Sequence, residues 1–317
     1  MTEERKHMAL YDKKSKQKTL LQDSMPARKI KSRCESAYLL SKGKAWIKFS
    51  CFVAMMLCFC LLTACRGDSE AGIVVAGSTS VSPFVEVLAE DYMDIERENI
   101  VNVQAGGSTA GITAAETGTA HIGMSSRALR EEEIDRGFWS REIARDGLAM
   151  IVHPDNPIQG LTLEQILGIY TGSITHWNEV GGNDARIHTI AREEGSGTRG
   201  AFEELVMGDE RVTPRAIVLN SNGTIRNLVA SDPNAIGFIS LGIADETVVA
   251  VKLDGVAPTR ENVLNESYTL YRPFLFVAPE EPEGAARQFV DFVMSPQGQQ
   301  RLINEGLVSL LEGEDVQ

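Results

Sequence analysis

In "GIVVAGSTSVSPFVEVLAEDY", Gly72–Tyr92, three kinds of local chemistry follow one another. Ile73–Ala76 is a short β-branched run that reads as a buried strand. A glycine and hydroxyl loop comes next. Ser82 then stands as a helix cap with Pro83 in the first turn, and Phe84, Leu88, Tyr92 and Ile95 recur on one helical face. The same strand, loop and helix return in "IVNVQAGGSTAGITAAETG" (100–118), where the strand runs to Val103, the loop covers Gly106–Thr109 and the helix ends near Gly118. They return in "AHIGMSSRALREEEI" (120–134), with Ser125, Ser126 and Arg127 ahead of an acidic helix. "RIHTIAREEGSGTRGAFEELV" (186–206) repeats the order, its strand ending near Ala191 and its helix burying Phe202, Leu205 and Val206. "AIVLNSNGTIRNLVA" (216–230) is a weaker fifth copy.

Strands alternating with helices imply an α/β fold with mostly parallel sheets. Ligands of such sheets bind where strand ends meet helix N-termini. Two further apolar runs, "GLAMIVHPDNP" (147–157) and "NAIGFISLG" (234–242), read as strands able to cross between two lobes.

The N-terminal part of the chain has a different character. Phe49–Ala64, "FSCFVAMMLCFCLLTA", is uncharged and follows Lys42, Lys44 and Lys48. Its 16 residues fall short of the about 20 that a membrane span needs and fit an export signal, with an uncleaved anchor as the alternative. It closes on "LTAC", which resembles the lipobox of bacterial lipoproteins and implies a lipidated Cys65 as the first mature residue. All five cysteines lie at or before that point, so the mature chain has no internal disulfide. Residues 1–48 are polar and basic; either they stay cytoplasmic and unstructured, or translation starts at Met25 or later. Residues 65–72 then form a tether.

Charge divides at the same place. The chain carries 31 Lys+Arg and 44 Asp+Glu, of which residues 1–64 hold 13 and 5, leaving 18 and 39 beyond, or −21. A field of that sign repels nucleic acid and anionic membrane surfaces, so any anion must be held by local dipoles and a few arginines.

The loops suit that task. Helix N-termini offer unpaired N–H groups and a partial positive charge, hydroxyls add donors, and glycine lets the backbone come close. Arg192 ends a strand and points to a ligand role, while Arg127 and Arg199 sit at helix starts. Catalytic readings fail on missing parts. Gly195, Gly197 and Gly200 match GxGxxG, but no acidic residue follows about 20 positions on. The region has no lysine for a P-loop, Gly195–Ser196–Gly197 is too tight for a hydrolase elbow, and Lys252 is the sole lysine after residue 48. His121, His153, His176 and His188 lack metal-ligand spacing, and Trp139 and Trp177 read as packing residues. Neither an enzyme activity nor a cofactor or metal is expected.

"AGSTSVSPF", "QAGGSTAGI", "HIGMSSR", "LTLEQILGIYTGSITHWNEVGG", "REEGSGTRGAFEE" and "PNAIGFISLG" occur in that order over residues 73–245. Together with the tail "ARQFVDFVMSPQGQQRLINEGLV", they resemble the phosphate-binding proteins of bacterial phosphate ABC importers. The resemblance implies a type II periplasmic-binding-protein fold with two crossover strands and the ligand between lobes. Lobe 1 would combine 73–150 with 240–317, and lobe 2 would be 151–239. It also implies a phosphate site made by Ser78, Thr79, Ser80, Ser108, Thr109, Ser126, Arg192, Ser196, Gly197 and Thr198. Partners would be inorganic phosphate and the permease subunits of an importer with a separate ATPase, reached by a lipid-anchored monomer outside the cytoplasm. Alternatives are another oxyanion (sulfate, molybdate or tungstate) or a signalling or adhesion protein with the same fold.

Many relatives carry aspartate where this chain has Ser126. An acceptor carboxylate there separates a protonated phosphate from sulfate. Glu193 and Glu194 are the candidates to take over that role, Glu194 ahead of Glu193, or else they pair with Arg192 or Arg199 and orient them.

Overall fold

A computed structural model describes residues 72–313. The basic extension, the apolar run and Cys65 lie outside the described residues. No helix among the described residues is long and apolar enough to cross a membrane.

The first unit forms β1 (Ile73–Gly77) and α1 (Ser82–Ile95). Phe84, Val85, Leu88, Ala89 and Tyr92 turn inward. The helix starts one residue earlier than the Ser82 cap implied. Ser78 accepts from the N–H groups of Val81 and Ser82, so Val81 takes the cap position, and the Ser82 hydroxyl donates to Glu86 Oε1 at 2.8 Å. Ile95, expected on the buried face, is 54% exposed because the helix outruns the core at Tyr92.

β2 (Val101–Ala105), α2 (Ser108–Glu116), β3 (Ile122–Ser125) and the short acidic α3 (Glu131–Asp135) follow. β4 (Trp139–Val152) is 14 residues long. After β5 (Gly160–Leu161) and α4 (Leu163–Thr171) come β6 (His188–Arg192) and α5 (Gly197–Phe202). α5 runs on into a wider π-helical turn, Glu203–Met207, whose altered phase buries Val206 and Met207 and leaves Leu205 half-buried. β7 (Ile217–Leu219), α6 (Asn222–Val229), β8 (Ala235–Ser240), β9 (Val249–Ala250) and β10 (Lys252–Leu253) precede α7 (Arg260–Leu264). β11 (Tyr271–Ala278), α8 (Gly284–Met294) and α9 (Pro296–Asn304) complete the order.

The strands run β2-β1-β3-β11-β4-β8-β6-β7, with β9 beside β4. The wings are parallel, as the repeated units imply: β1 with β2 and β3, and β6 with β7 and β8. The centre is antiparallel, because β11 runs against both β3 and β4, and β4 runs against β8. β4 changes partner along its length. Trp139–Gly147 pairs with β11, and Leu148–Val152 pairs with β8.

Two main cores lie along this sheet. One gathers Val75, Leu88, Tyr92, Phe274, Phe276 and Phe289. The other gathers Tyr170, Trp177, Phe202, Phe238 and Tyr268. Phe202 and Phe238 stack with centroids 4.1 Å apart, and Trp177 donates its indole N–H to Asn234 O. Val251, Leu253, Tyr268 and Leu270 pack into this second core.

Candidate functional site

The hydroxyl loops of four units meet at the strand ends. Ser78, Ser80, Ser108, Ser126, Arg192, Ser196 and Thr198 are all buried, while Thr79 and Thr109 are half-buried. Ser78 accepts from the Ser80 N–H at 3.1 Å and donates its hydroxyl to Ser126 Oγ at 2.8 Å. The Ser126 N–H donates to Ser108 Oγ at 3.0 Å, and the two hydroxyl oxygens stand 3.4 Å apart. Whichever of this pair donates to the other, one hydroxyl hydrogen is left over for a ligand.

Across the sheet, Arg192 extends from the end of β6. Its Nε and Nη2 donate to the two carboxylate oxygens of Glu193, each at 2.9 Å. Nη2 also donates to Asn220 O at 3.3 Å, and Nη1 to Thr198 Oγ1 at 3.4 Å. A two-point carboxylate contact of this kind fixes the plane of a guanidinium. Ser196 caps α5 by accepting from the Arg199 N–H, and Thr109 N–H donates to Gly195 O at 3.2 Å, which ties the second loop to the fourth. Gly197 packs directly on Ser108 and Ser126.

Four residues beyond those read from the sequence join the cluster. Asn222, at the start of α6, donates its amide to Ser80 Oγ at 2.9 Å and Thr79 Oγ1 at 3.5 Å. Its Oδ1 accepts from the Ser240 N–H, which sets the amide's orientation. Arg272 of β11 donates to Ser80 Oγ at 3.2 Å and lies against Asp146 of β4. Asp146 also accepts from the Ser240 hydroxyl at 2.8 Å. Burial pushes the Asp146 carboxyl up and the Arg272 guanidinium down, and their mutual attraction opposes both shifts. The loop "NSNG" before a helix pattern was a signal for Asn222; Arg272 and Asp146, inside apolar strands, left none.

The donor count sets a direction. Ser80 Oγ already accepts from Asn222 and Arg272, so its own hydrogen goes to Thr198 Oγ1, 2.7 Å away. Thr198 Oγ1 then accepts from Ser80 and Arg192, which leaves its hydrogen to donate elsewhere. The cluster therefore presents donors. Its nearby carboxylates, Glu193 and Asp146, face arginines.

The two glutamates separate in role. Glu193 holds Arg192. Glu194, expected ahead of it as a proton acceptor, is exposed and lines a surface depression beside Arg130, Arg199 and Asp209. The structure does not bring it into the hydroxyl cluster. Arg199 is occupied with Glu203 and with Arg192 O, and Arg127 makes a buried two-point pair with Glu133. Among the described residues no group of His, Cys, Asp and Glu is arranged to hold a metal ion.

Comparison with known proteins places the chain in a family. Residues 64–297 match the PBP superfamily domain. A protein from Clostridium perfringens, described as a phosphate ABC transporter substrate-binding protein and solved with bound phosphate, is 45% identical with a TM-score of 0.74. That match covers 75% of this chain and 99% of the other. An ABC-type phosphate transport receptor from Vibrio cholerae is 39% identical with a TM-score of 0.65, covering 74% and 99%. The phosphate-binding protein PstS of Borreliella burgdorferi is 30% identical over 268 residues, 80% of this chain and 96% of that protein. The chain belongs to the PBP superfamily and, within it, to the phosphate-binding proteins of ABC transporters.

Proposed function

We propose that this chain is an extracytoplasmic, lipid-anchored receptor that binds inorganic phosphate between the hydroxyl loops and Arg192 and hands it to the permease of an ABC importer. The observation that carries the reading is the hydrogen-bonded cluster of buried Ser78, Ser80, Ser108, Ser126 and Thr198, joined through Thr198 to a buried guanidinium held by Glu193. Hydrogen bonds to a charged ligand contribute about 1.5–3 kcal/mol each, and a few such donors suffice for a small anion despite the acidic surface. Opening and closing of the two lobes (73–150 with 240–317, and 151–239) would admit and trap the ion. Cys65 would carry the lipid.

The reading is of a receptor and not a catalyst. The Ser196 hydroxyl is engaged in capping α5, and no imidazole among the described residues is hydrogen-bonded to a cluster hydroxyl. Nucleophilic chemistry needs a base within reach of the hydroxyl.

Calorimetric titration of the full chain in detergent with phosphate, sulfate and molybdate tests this. Saturable phosphate binding stronger than that of the other two is expected. Sulfate binding as tightly as phosphate would redirect the reading to a broader oxyanion receptor, and no binding of any would end it. Arg192→Ala is expected to weaken phosphate binding at least about tenfold.

A further inference from the structure

Arg272 is buried on β11, with Asp146 as its direct cross-strand neighbour on β4. Its Nε and Nη2 donate to Asp146 Oδ2 at 3.2 and 3.0 Å, and Nη2 donates a second time, to Ser80 Oγ. Nη1 is buried and has no hydrogen-bond partner. A guanidinium is flat, and its five N–H bonds point in fixed directions. With the Nε/Nη2 edge on Asp146 and the other Nη2 hydrogen on Ser80, one N–H of Nη1 runs alongside the Nη2–Ser80 bond. It points to the same side as the hydroxyl cluster.

A buried charged donor left without a partner is costly, so its persistence calls for an acceptor. The neighbouring charge points the same way. Arg192 Nη1, Thr198 Oγ1, Ser80 Oγ and Arg272 Nη2 form one hydrogen-bonded chain, so only two hydroxyls separate two buried guanidiniums. Burial destabilises the charge on Arg272, and the positive charge of Arg192 adds to that. Each arginine has one carboxylate, Glu193 for Arg192 and Asp146 for Arg272. An anion seated against this chain would relieve the repulsion and take up the idle N–H together.

We propose that Arg272 is a second arginine of the oxyanion site, its Nη1 donating to a ligand oxygen other than the one held by Arg192. Asp146 is the counterion that aims it. This rests on reading the cluster as an oxyanion site. Its consequence is a clamp with one guanidinium on each side of the Ser80–Thr198 contact.

The test is phosphate titration by calorimetry on the full chain in detergent, with Tm measured with and without phosphate. Arg272→Lys keeps a positive charge opposite Asp146 but loses the fork. The double change Asp146→Asn with Arg272→Gln removes both charges together and strands neither. Both are expected to weaken phosphate binding about 10- to 100-fold and to shrink the rise in Tm that phosphate produces. A Ser80→Ala background separates direct from indirect action. If Arg272 touches the ligand, adding Arg272→Lys there still weakens binding about tenfold, whereas a residue that only holds Ser80 adds nothing.

Binding within about twofold of the unaltered chain in a folded Arg272 variant, or no added loss in the Ser80→Ala background, overturns the inference. Should the double variant not fold, Arg272→Lys and the Ser80→Ala comparison decide. Failure of the unaltered chain to bind phosphate would overturn the functional reading itself, and this inference with it.

Discussion

Gly197 stands against Ser108 with no room for a side chain: a β-carbon there would lie 2.1 Å from Ser108 Oγ and 2.9 Å from Ser108 Cβ. The Ser126 hydroxyl would be 2.6 Å away. Rotating either hydroxyl aside does not clear the Ser108 β-carbon. Gly197→Ala is therefore expected to oppose the approach of the two loops. Overpacking of this kind costs about 1–3 kcal/mol, or about 5- to 150-fold in phosphate affinity. Calorimetry on Gly197→Ala checks it, and an unchanged affinity would mean that the loops need not meet when the ligand is bound.

Glu193 and Glu194 adjoin in sequence and differ in surroundings. Glu193 accepts from two nitrogens of buried Arg192, and Glu194 is exposed. Glu193→Gln leaves the guanidinium with a neutral and less symmetric partner, and phosphate affinity is expected to fall several-fold, roughly 1 kcal/mol. Glu194→Gln is expected to leave both the affinity and the preference for phosphate over sulfate unchanged. A narrowed preference in Glu194→Gln would restore it as the group that reads the ligand's proton.

Glu133 supplies an acid-sensitive contact away from the cluster. Burial pushes its carboxyl up, but the two-point bond from Arg127 and the Arg130 N–H outweigh this and hold it below the ordinary 4.5. A depressed folded value means that the unfolded chain takes up the proton first. The stabilisation is thus complete above about 4.5 and is lost as pH falls from there through the lower folded value. Urea unfolding across that range should show a steeper acid decline for the unaltered chain than for Glu133→Gln. Parallel curves would remove Glu133 from the acid response.

Cys65 closes "LTAC" at the end of the uncharged run. Labelling with radioactive palmitate should mark the unaltered chain and fail in Cys65→Ser, which should also leave the membrane fraction. Label retained in Cys65→Ser would place the lipid elsewhere.

Much of the site was legible because each hydroxyl loop sits between a β-branched run and a helical pattern. The local grammar marks the loops, while Ser78, Ser80, Ser108, Ser126, Arg192 and Thr198 were singled out by the resemblance to the phosphate-binding proteins; all six are buried. The part that stayed hidden is non-local. Arg272 lies in "YRPFLFVA", an apolar strand by any local reading, and Asp146 is 126 residues earlier on another. Only the register of β11 on β4 sets them face to face. The antiparallel centre was hidden for the same reason, since β11 comes late in the chain and inserts between β3 and β4. At Ile95 and Leu205 the helical period was sound, but the core ended early in one case and a π turn changed the phase in the other.

β4 serves the β11 side through Gly147 and the β8 side from Leu148 onward. A strand shared in this way makes the protein indivisible. A fragment ending near Gly147 would lack β11, the partner of β3 and of Trp139–Gly147, and one starting there would strip β11 of both its neighbours, exposing a raw sheet edge that invites intermolecular pairing. Insertions, tags and permuted termini therefore belong in surface turns such as Gly181–Gly182, and not at the passage between the two cores.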